Sequence, residues 1–215
     1  GVLFLDELPE FSPIVLDSLR QPLEGGESVI ARANHRVTYP AKFQLIAAMN
    51  PCRCGMAGEP GYLCPRGARC AGEYQSRISG PLLDRIDLRV EVPAVTASDL
   101  IRPAPAEPSS AVLARVVAAR QRQAERFSAL GLPAETLNAH CSASMIEDVA
   151  SVDRPGTQLL HDAAEQMKFS ARAYHRILKV ARTLADLDQA GSVQRVHLAE
   201  AISYRVAGER LAAAA

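Results

Sequence analysis

Asp6 and Glu7 stand side by side at the end of the apolar run Val2–Leu5, and Asn50 ends a second apolar run, "FQLIAAMN". Two carboxylates and an amide brought to one edge suit phosphoryl chemistry. One acid holds Mg²⁺, usually through water, while the other polarises a water for attack and the neutral amide orients it. Arg85, in "GPLLDRIDL", adds a planar five-donor fork suited to developing phosphoryl charge, expected at the end of a short helix with its guanidinium turned outward. Each group also has a plainer reading: solvated acids at a strand end, and a surface ion pair between Arg85 and Asp84 or Asp87.

Four of the five cysteines, Cys52, Cys54, Cys64 and Cys70, crowd into nineteen residues of Gly-rich sequence. In a reducing compartment such clustering points to metal sooner than to disulfide, and Zn²⁺ is the ion on which four thiolates close tetrahedrally. The single residue between Cys52 and Cys54 departs from paired Cys-x2-Cys knuckles and is cramped for one ion. Cys141 stands apart as a plain buried or half-buried thiol. Arg32, His35 and Arg36 fall near the tip of a predicted hairpin and make that end locally basic. Only Tyr39 is at hand for stacking, His35 reads as a turn residue, and an ordinary solvated hairpin is the competing account.

These groups need elements to position them. Val2–Leu5 and the run from Phe43 to Asn50 read as strands buried on both faces and paired in one sheet, carrying the acids and the amide to the crevice at its C-terminal edge. A helix is predicted from Pro13 to Leu19, capped by Ser12 and followed by the stop Gly25-Gly26. The hairpin strands cover 27–32 and 35–39 around Ala33-Asn34. Residues 51–79 read as loop, and "PLLDRIDLRVEVP" as a short helix running into a strand, Leu88 to Val92. Pro93 to Ser110 holds four prolines and reads as a linker. Helices follow near 110–130, 142–151, 156–168, 170–188 and 194–206, punctuated by Gly131 and Gly191. In the helix over 170–188, Tyr174, Ile177, Leu178, Ala181 and Leu184 form an apolar stripe. Arg172, Arg176 and Lys179 line the opposite face, in the plain reading a solvated one. Arg172, in the first turn beside a Ser170 cap, combines its charge with the helix dipole to meet an anion.

The fold class is α/β in two parts: residues 1–93 form the back half of an α/β unit, 94–110 a Pro-rich linker, and 111–215 an all-helical domain. Length, at 215 residues, and a 48% apolar composition suit one or two cores. No apolar run approaches the roughly 20 residues that span a bilayer, and the first residues carry acids where a secretory signal carries bases. A soluble, cytoplasmic protein with no membrane partner is expected. Net charge is zero, so bulk electrostatics predict no polyanion partner, yet the distribution is uneven. Residues 1–27 hold six acids against Arg20, whereas residues 28–77 hold seven bases against Glu59 and Glu73.

In combination, Asp6-Glu7 resembles a Walker B motif, Asn50 a sensor 1, Arg85 an arginine finger and "SARAYHRILKVARTLADL" a sensor 2 helix, in the order used by AAA+ ATPases. More narrowly, "AAMNPCRCG" with "RISGPLLDRIDLRVEVP" resembles the magnesium-chelatase-like branch, the YifB/ComM group, over nearly the whole chain. The resemblance implies a partial AAA+ core followed by a helical lid, with ATP and Mg²⁺ as cofactors. It assigns Asp6 as the Mg²⁺ acid, Glu7 as the water-activating base, Asn50 as sensor 1, Arg85 as the finger reaching a neighbour's nucleotide, and Arg172, ahead of Arg176, as the nucleotide-binding sensor 2. It also implies a ring, commonly a hexamer, with the hairpin residues Arg32 and Arg36 facing DNA in the pore. The activity implied is ATP-driven DNA remodelling or branch migration linked to competence and recombination.

The Gly-x4-Gly-Lys-Ser/Thr phosphate loop of that family is absent: the only lysines are Lys42, Lys168 and Lys179, and none follows Gly. The start in mid-strand without Met reads as a C-terminal fragment whose phosphate loop lies upstream. The expectation is an ATPase at full length and no ATP hydrolysis by this stretch alone. Two alternatives remain: a motor subunit for Mg²⁺ insertion into a porphyrin, against which the cysteine insertion argues, and a zinc-stabilised nucleic-acid-binding or scaffold module with no ATPase.

Overall fold

The first of two units, Gly1–Ile86 with Gly208–Ala215, is built from β1 (Val2–Leu5), α1 (Pro13–Ser18), α2 (Arg20–Gly25), β2 (Glu27–Arg32), β3 (His35–Pro40), β4 (Gln44–Ala47), α3 (Arg69–Gln75) and α4 (Gly80–Leu83). The structure is a computed structural model describing residues 1–32, 35–55, 57, 64–67, 69–93, 95, 101 and 106–213; the side chains of Arg32 and of residues 207–213 fall outside this description. β1 and β4 pair in parallel, Val2 opposite Gln44 and Leu5 opposite Ala47, as the two apolar runs predict. β2 and β3 form the predicted antiparallel hairpin, with Arg32 opposite His35 and Ala31 opposite Arg36. Its turn, Ala33-Asn34, lies outside the described residues.

Local chemistry explains the helices. Ser12 Oγ accepts from Val15 N–H at 3.4 Å to cap α1, and Gly26, at φ 67°, closes α2 in the left-handed conformation that glycine adopts freely. Ser79 repeats the device for α4, accepting from Leu82 N–H at 3.3 Å. Among the described residues the core of this unit is small: Leu8, Leu16, Ile78 and Leu82, with Leu5, Leu19, Leu23 and Leu83 packed around it.

Three predictions are corrected. Residues 51–79 are not loop throughout, since α3 (Arg69–Gln75) forms within them. β1 is not buried on both faces, since Val2 is 66% and Phe4 60% exposed. Successive strand side chains point to opposite faces. Leu5 faces the small core, whereas no described element of this unit covers the face bearing Val2, Phe4 and Ile46. Leu88 to Val92 is not a ladder strand. No described strand lies beside it; Arg89 N–H instead donates to Tyr204 O at 3.0 Å.

The second unit, Asp87–Ala207, is helical as predicted: α5 (Ser109–Ala129), α6 (Ala143–Ala150), α7 (Arg154–Met167), α8 (Ala171–Leu187) and α9 (Arg195–Ala213). Most of the predicted Pro-rich linker lies outside the described residues. Ser142, Asp153 and Ser170 cap α6, α7 and α8, accepting from the N–H groups of Met145 (3.2 Å), Gly156 (2.7 Å) and Ala173 (3.1 Å). Phe127, Ile146, Leu160, Ile177, Leu178 and Leu198 anchor one apolar core. Buried within the unit lies a polar knot centred on Asp186, which accepts from Arg126, from Arg182 at 3.0 Å and from Asn138 at 2.9 Å. Arg182 also donates to the carbonyls of Ala190 (2.8 Å) and Gly191 (3.0 Å), tying down the chain after α8.

Gly156 marks where α7 meets its neighbours: a Cβ there would lie 2.9 Å from side-chain atoms of Leu198 and Val152 and 2.7 Å from the capping oxygen of Asp153. Gly156→Ala is expected to lower stability by about 1–3 kcal/mol, measured by urea denaturation; an unchanged midpoint would show that these neighbours yield freely. Among the described residues no helix is long and apolar enough to cross a membrane.

Candidate functional site

Asp6 and Asn50 lie at the same end of the parallel pair. Beyond the last paired residues, Ala48 N–H donates to Leu5 O at 2.9 Å and Leu8 N–H donates to Ala48 O at 3.0 Å. These bonds extend the connection past the strands and hold the two chain exits side by side, with Asp6, Glu7 and Asn50 all exposed. Glu7 leaves β1 with φ 51° and ψ 46°, the left-handed region that costs a non-glycine residue about 1–2 kcal/mol. Its N–H donates to Asp6 Oδ1 at 2.9 Å, and its carbonyl accepts from Glu10 N–H at 2.8 Å to start a 3-10 turn over Leu8–Glu10. Glu7→Gly should therefore gain up to about 1 kcal/mol of stability while deleting the carboxylate. Urea denaturation checks this, and a loss would show that the Glu7 side chain makes a compensating contact.

Arg85 differs from the expected outward presentation. Its side chain is only 9% exposed, folded back to donate to Glu24 and, at 2.6 Å, to Pro81 O. An open recess of about 560 Å³ beside it is lined by Asp17, Arg20, Gln21 and Glu24, among others. The reason is local charge: α2 brings the Glu24 carboxylate within reach of the guanidinium, and the charge-assisted bond holds it there.

On α8, Arg172 is exposed in the first turn, as predicted. The rest of that face is not simply solvated. Arg176 pairs with Asp87, and Lys179 donates to Ala139 O at 3.0 Å, where burial followed by the nearby Arg176 charge lowers its pKa. Cys141 is buried, and desolvation raises its thiol pKa, the signature of an inert structural cysteine. On the hairpin, Arg36 and His35 are exposed.

The four clustered cysteines converge. The Sγ atoms of Cys52, Cys54, Cys64 and Cys70 all lie within 4.8 Å of one another, with Cys54 3.0 Å from both Cys52 and Cys64. Two similar turns bring them together: Gly55 N–H donates to Cys52 O and Gly67 N–H to Cys64 O, each at 2.9 Å. The glycines sit at φ 77° and 78°, so Cys-x-Cys-Gly and Cys-Pro-Arg-Gly close alike. That turn relieves the cramping the spacing implied. Ala57 N–H donates to Cys52 Sγ at 3.3 Å, the kind of contact that supports thiolate charge. Cys70 arrives from α3, and none of the cysteines is in a disulfide. Four soft thiol donors at this separation can hold a metal ion.

Sequence reasoning missed the connections between these features. Gln75 Nε2 donates to Pro51 O at 2.9 Å, beside Asn50. Tyr74, four residues after Cys70 on α3, is buried, and its hydroxyl pKa is raised by burial and then by the charges of Glu10 and Glu7. A helical period linking Cys70 to Tyr74 was the available signal, obscured by the short length of α3.

Comparison with known families agrees with this layout. The family described as "Magnesium chelatase, subunit ChlI" matches residues 1–100, and "Magnesium chelatase, subunit ChlI C-terminal" matches residues 106–205. Competence protein ComM of Haemophilus influenzae is 44% identical over 95% of this chain and 39% of its own length. Uncharacterized protein YifB of Escherichia coli K12 is 41% identical over the same shares. Uncharacterized protein Rv2897c of Mycobacterium tuberculosis H37Rv is 38% identical over 98% of this chain and 41% of its own length. The chain thus spans about two fifths of the curated relatives it matches. With both halves matched in order, the chain belongs to the magnesium-chelatase-like AAA+ family, in its YifB/ComM group.

Proposed function

We propose that this chain is the distal core and lid of a cytoplasmic, ATP-driven DNA-remodelling motor that works as a ring, commonly of six subunits, in branch migration serving competence and recombination. One observation carries the reading: Asp6, Glu7 and Asn50 gather at one exposed strand edge, where Glu7 is held in a left-handed conformation that needs a purpose. The name of the H. influenzae relative, a competence protein, supports the link to competence, and the exposed basic residues His35 and Arg36 of the hairpin support DNA as the substrate.

The donor set fits the cofactors. Asp6 offers the hard carboxylate oxygen that Mg²⁺ prefers, and bound Mg²⁺ would neutralise charge on the transferring phosphoryl group. Glu7 accepts the proton of the attacking water, and Asn50 orients that water by hydrogen bonding. Arg85 serves a neighbouring subunit's nucleotide after exchanging Glu24 for phosphate, and Arg172 meets the nucleotide from the lid. Arg32 and Arg36 follow the DNA backbone. The thiols of Cys52, Cys54, Cys64 and Cys70 suit Zn²⁺: their separations, from 3.0 to 4.8 Å, bracket the ~3.8 Å edge of a tetrahedron with bonds of about 2.3 Å.

The test uses a polypeptide carrying this chain together with a Gly-rich phosphate loop, assayed for ATP hydrolysis with and without branched DNA. Hydrolysis stimulated by DNA is expected. Replacing Arg32 and Arg36 with Ala should abolish the stimulation and spare the basal rate. A protein that binds ATP but never hydrolyses it would overturn the reading.

A further inference from the structure

The cysteine cluster is not a remote appendage. Its first ligand, Cys52, follows Asn50 by two residues, and the carbonyl between them, Pro51 O, is held by Gln75 from α3 at 2.9 Å. α3 also carries the last ligand, Cys70, and its Tyr74 side chain lies buried where the charges of Glu7 and Glu10 reach it. Just beyond α3, Arg77 donates to Glu10 at 3.2 Å, and Ile78 enters the same small core as Leu8, the neighbour of Glu7. Both sides of the candidate site are thus attached to the segment that the four thiols close.

We propose that a single Zn²⁺ on Cys52, Cys54, Cys64 and Cys70 braces the nucleotide-facing edge, fixing the Asn50-Pro51 exit of β4 directly and the Glu7-Leu8 turn through α3. This rests on the zinc reading of the thiols and on the assignment of Glu7 and Asn50 above. Zn²⁺ is favoured over a hard ion because all four donors are soft. Loading releases the four thiol protons to solvent as four S–Zn bonds form, leaving a site of net charge about −2. Arg53, Arg66 and Arg69 each stand within two residues of a ligand in the sequence, a supply of positive charge that would offset it. The unit's apolar core among the described residues is small, so a metal crosslink has more to contribute here than in a large domain.

Zinc content of the chain purified without added metal comes first; about one equivalent is expected. Amide hydrogen exchange is then followed by NMR before and after stripping with a zinc chelator, and again after Zn²⁺ is restored. The amides of Ala48 and Leu8, which bridge the two strand exits, should exchange at least about tenfold faster in the stripped protein and recover on reloading. Those of the β2–β3 hairpin and of Ile146 and Leu198 in the helical unit should not change. Cys70→Ser should reproduce the stripped pattern. Less than about a tenth of an equivalent of zinc defeats the metal reading and the brace with it, leaving the nucleotide-edge assignment standing. Bound zinc with unaltered exchange at Ala48 and Leu8 defeats the brace alone. Equal acceleration across the hairpin also defeats it, since the ion would then simply hold the whole unit together.

Discussion

Glu7→Gln is expected to cut ATP turnover by at least about 100-fold in a polypeptide that includes a phosphate loop, while nucleotide affinity changes by no more than about threefold. A positioned general base contributes roughly 10²–10⁴ in rate. Glutamine keeps the side-chain length and both backbone bonds that shape the turn, from Glu7 N–H to Asp6 and from Glu10 N–H to the carbonyl at position 7. Only proton acceptance is lost. Single-turnover hydrolysis with labelled ATP, alongside nucleotide binding, separates the two quantities. Turnover at the wild-type rate would remove Glu7 from the chemistry and leave its backbone geometry without a catalytic reason. The stabilising Glu7→Gly change and the neutralising Glu7→Gln change should agree in activity and differ in stability, which separates lost chemistry from lost structure.

Asp186→Ala is expected to be the most destabilising single change in the helical unit. The Asp186 side chain is fully buried and faces two guanidinium groups and an amide. Its removal leaves Arg182, itself 1% exposed, without its anion. Breaking a buried pair from one side costs about 3–5 kcal/mol, enough to lower the melting temperature of a unit this size by roughly 10 °C or more. Calorimetry reports the loss directly. Asp186→Asn should recover part of it, because an amide oxygen still accepts from Arg182. A melting temperature within about 2 °C of the parent in Asp186→Ala would mean that solvent enters and takes over the role of the carboxylate.

The helical half was legible because its signals are local: a cap at Ser170, stops at Gly131 and Gly191, and apolar spacing along α8. The parallel pairing of β1 with β4 was legible from two short apolar runs of like character. What escaped was set by partners distant in sequence. Nothing near Arg85 announces Glu24, sixty-one positions earlier, as its carboxylate. Nothing in "DELPEF" announces a left-handed glutamate, because side-chain type disfavours that conformation and only the surrounding bonds impose it. Apolar composition marked Val2 and Phe4 for the interior, but burial depends on whether another layer covers that face, which composition does not encode. The cysteine spacing looked awkward only until turn geometry, governed by Gly55 and Gly67, entered the account.

The bare side of the β1–β4 pair has a practical consequence. Val2, Phe4 and Ile46 present a short hydrophobic strip to water, and strips of this sort promote self-association and chaperone capture. The attainable concentration of these 215 residues on their own is expected to be limited by this strip. Phe4→Lys should raise the attainable concentration without disturbing any interior packing.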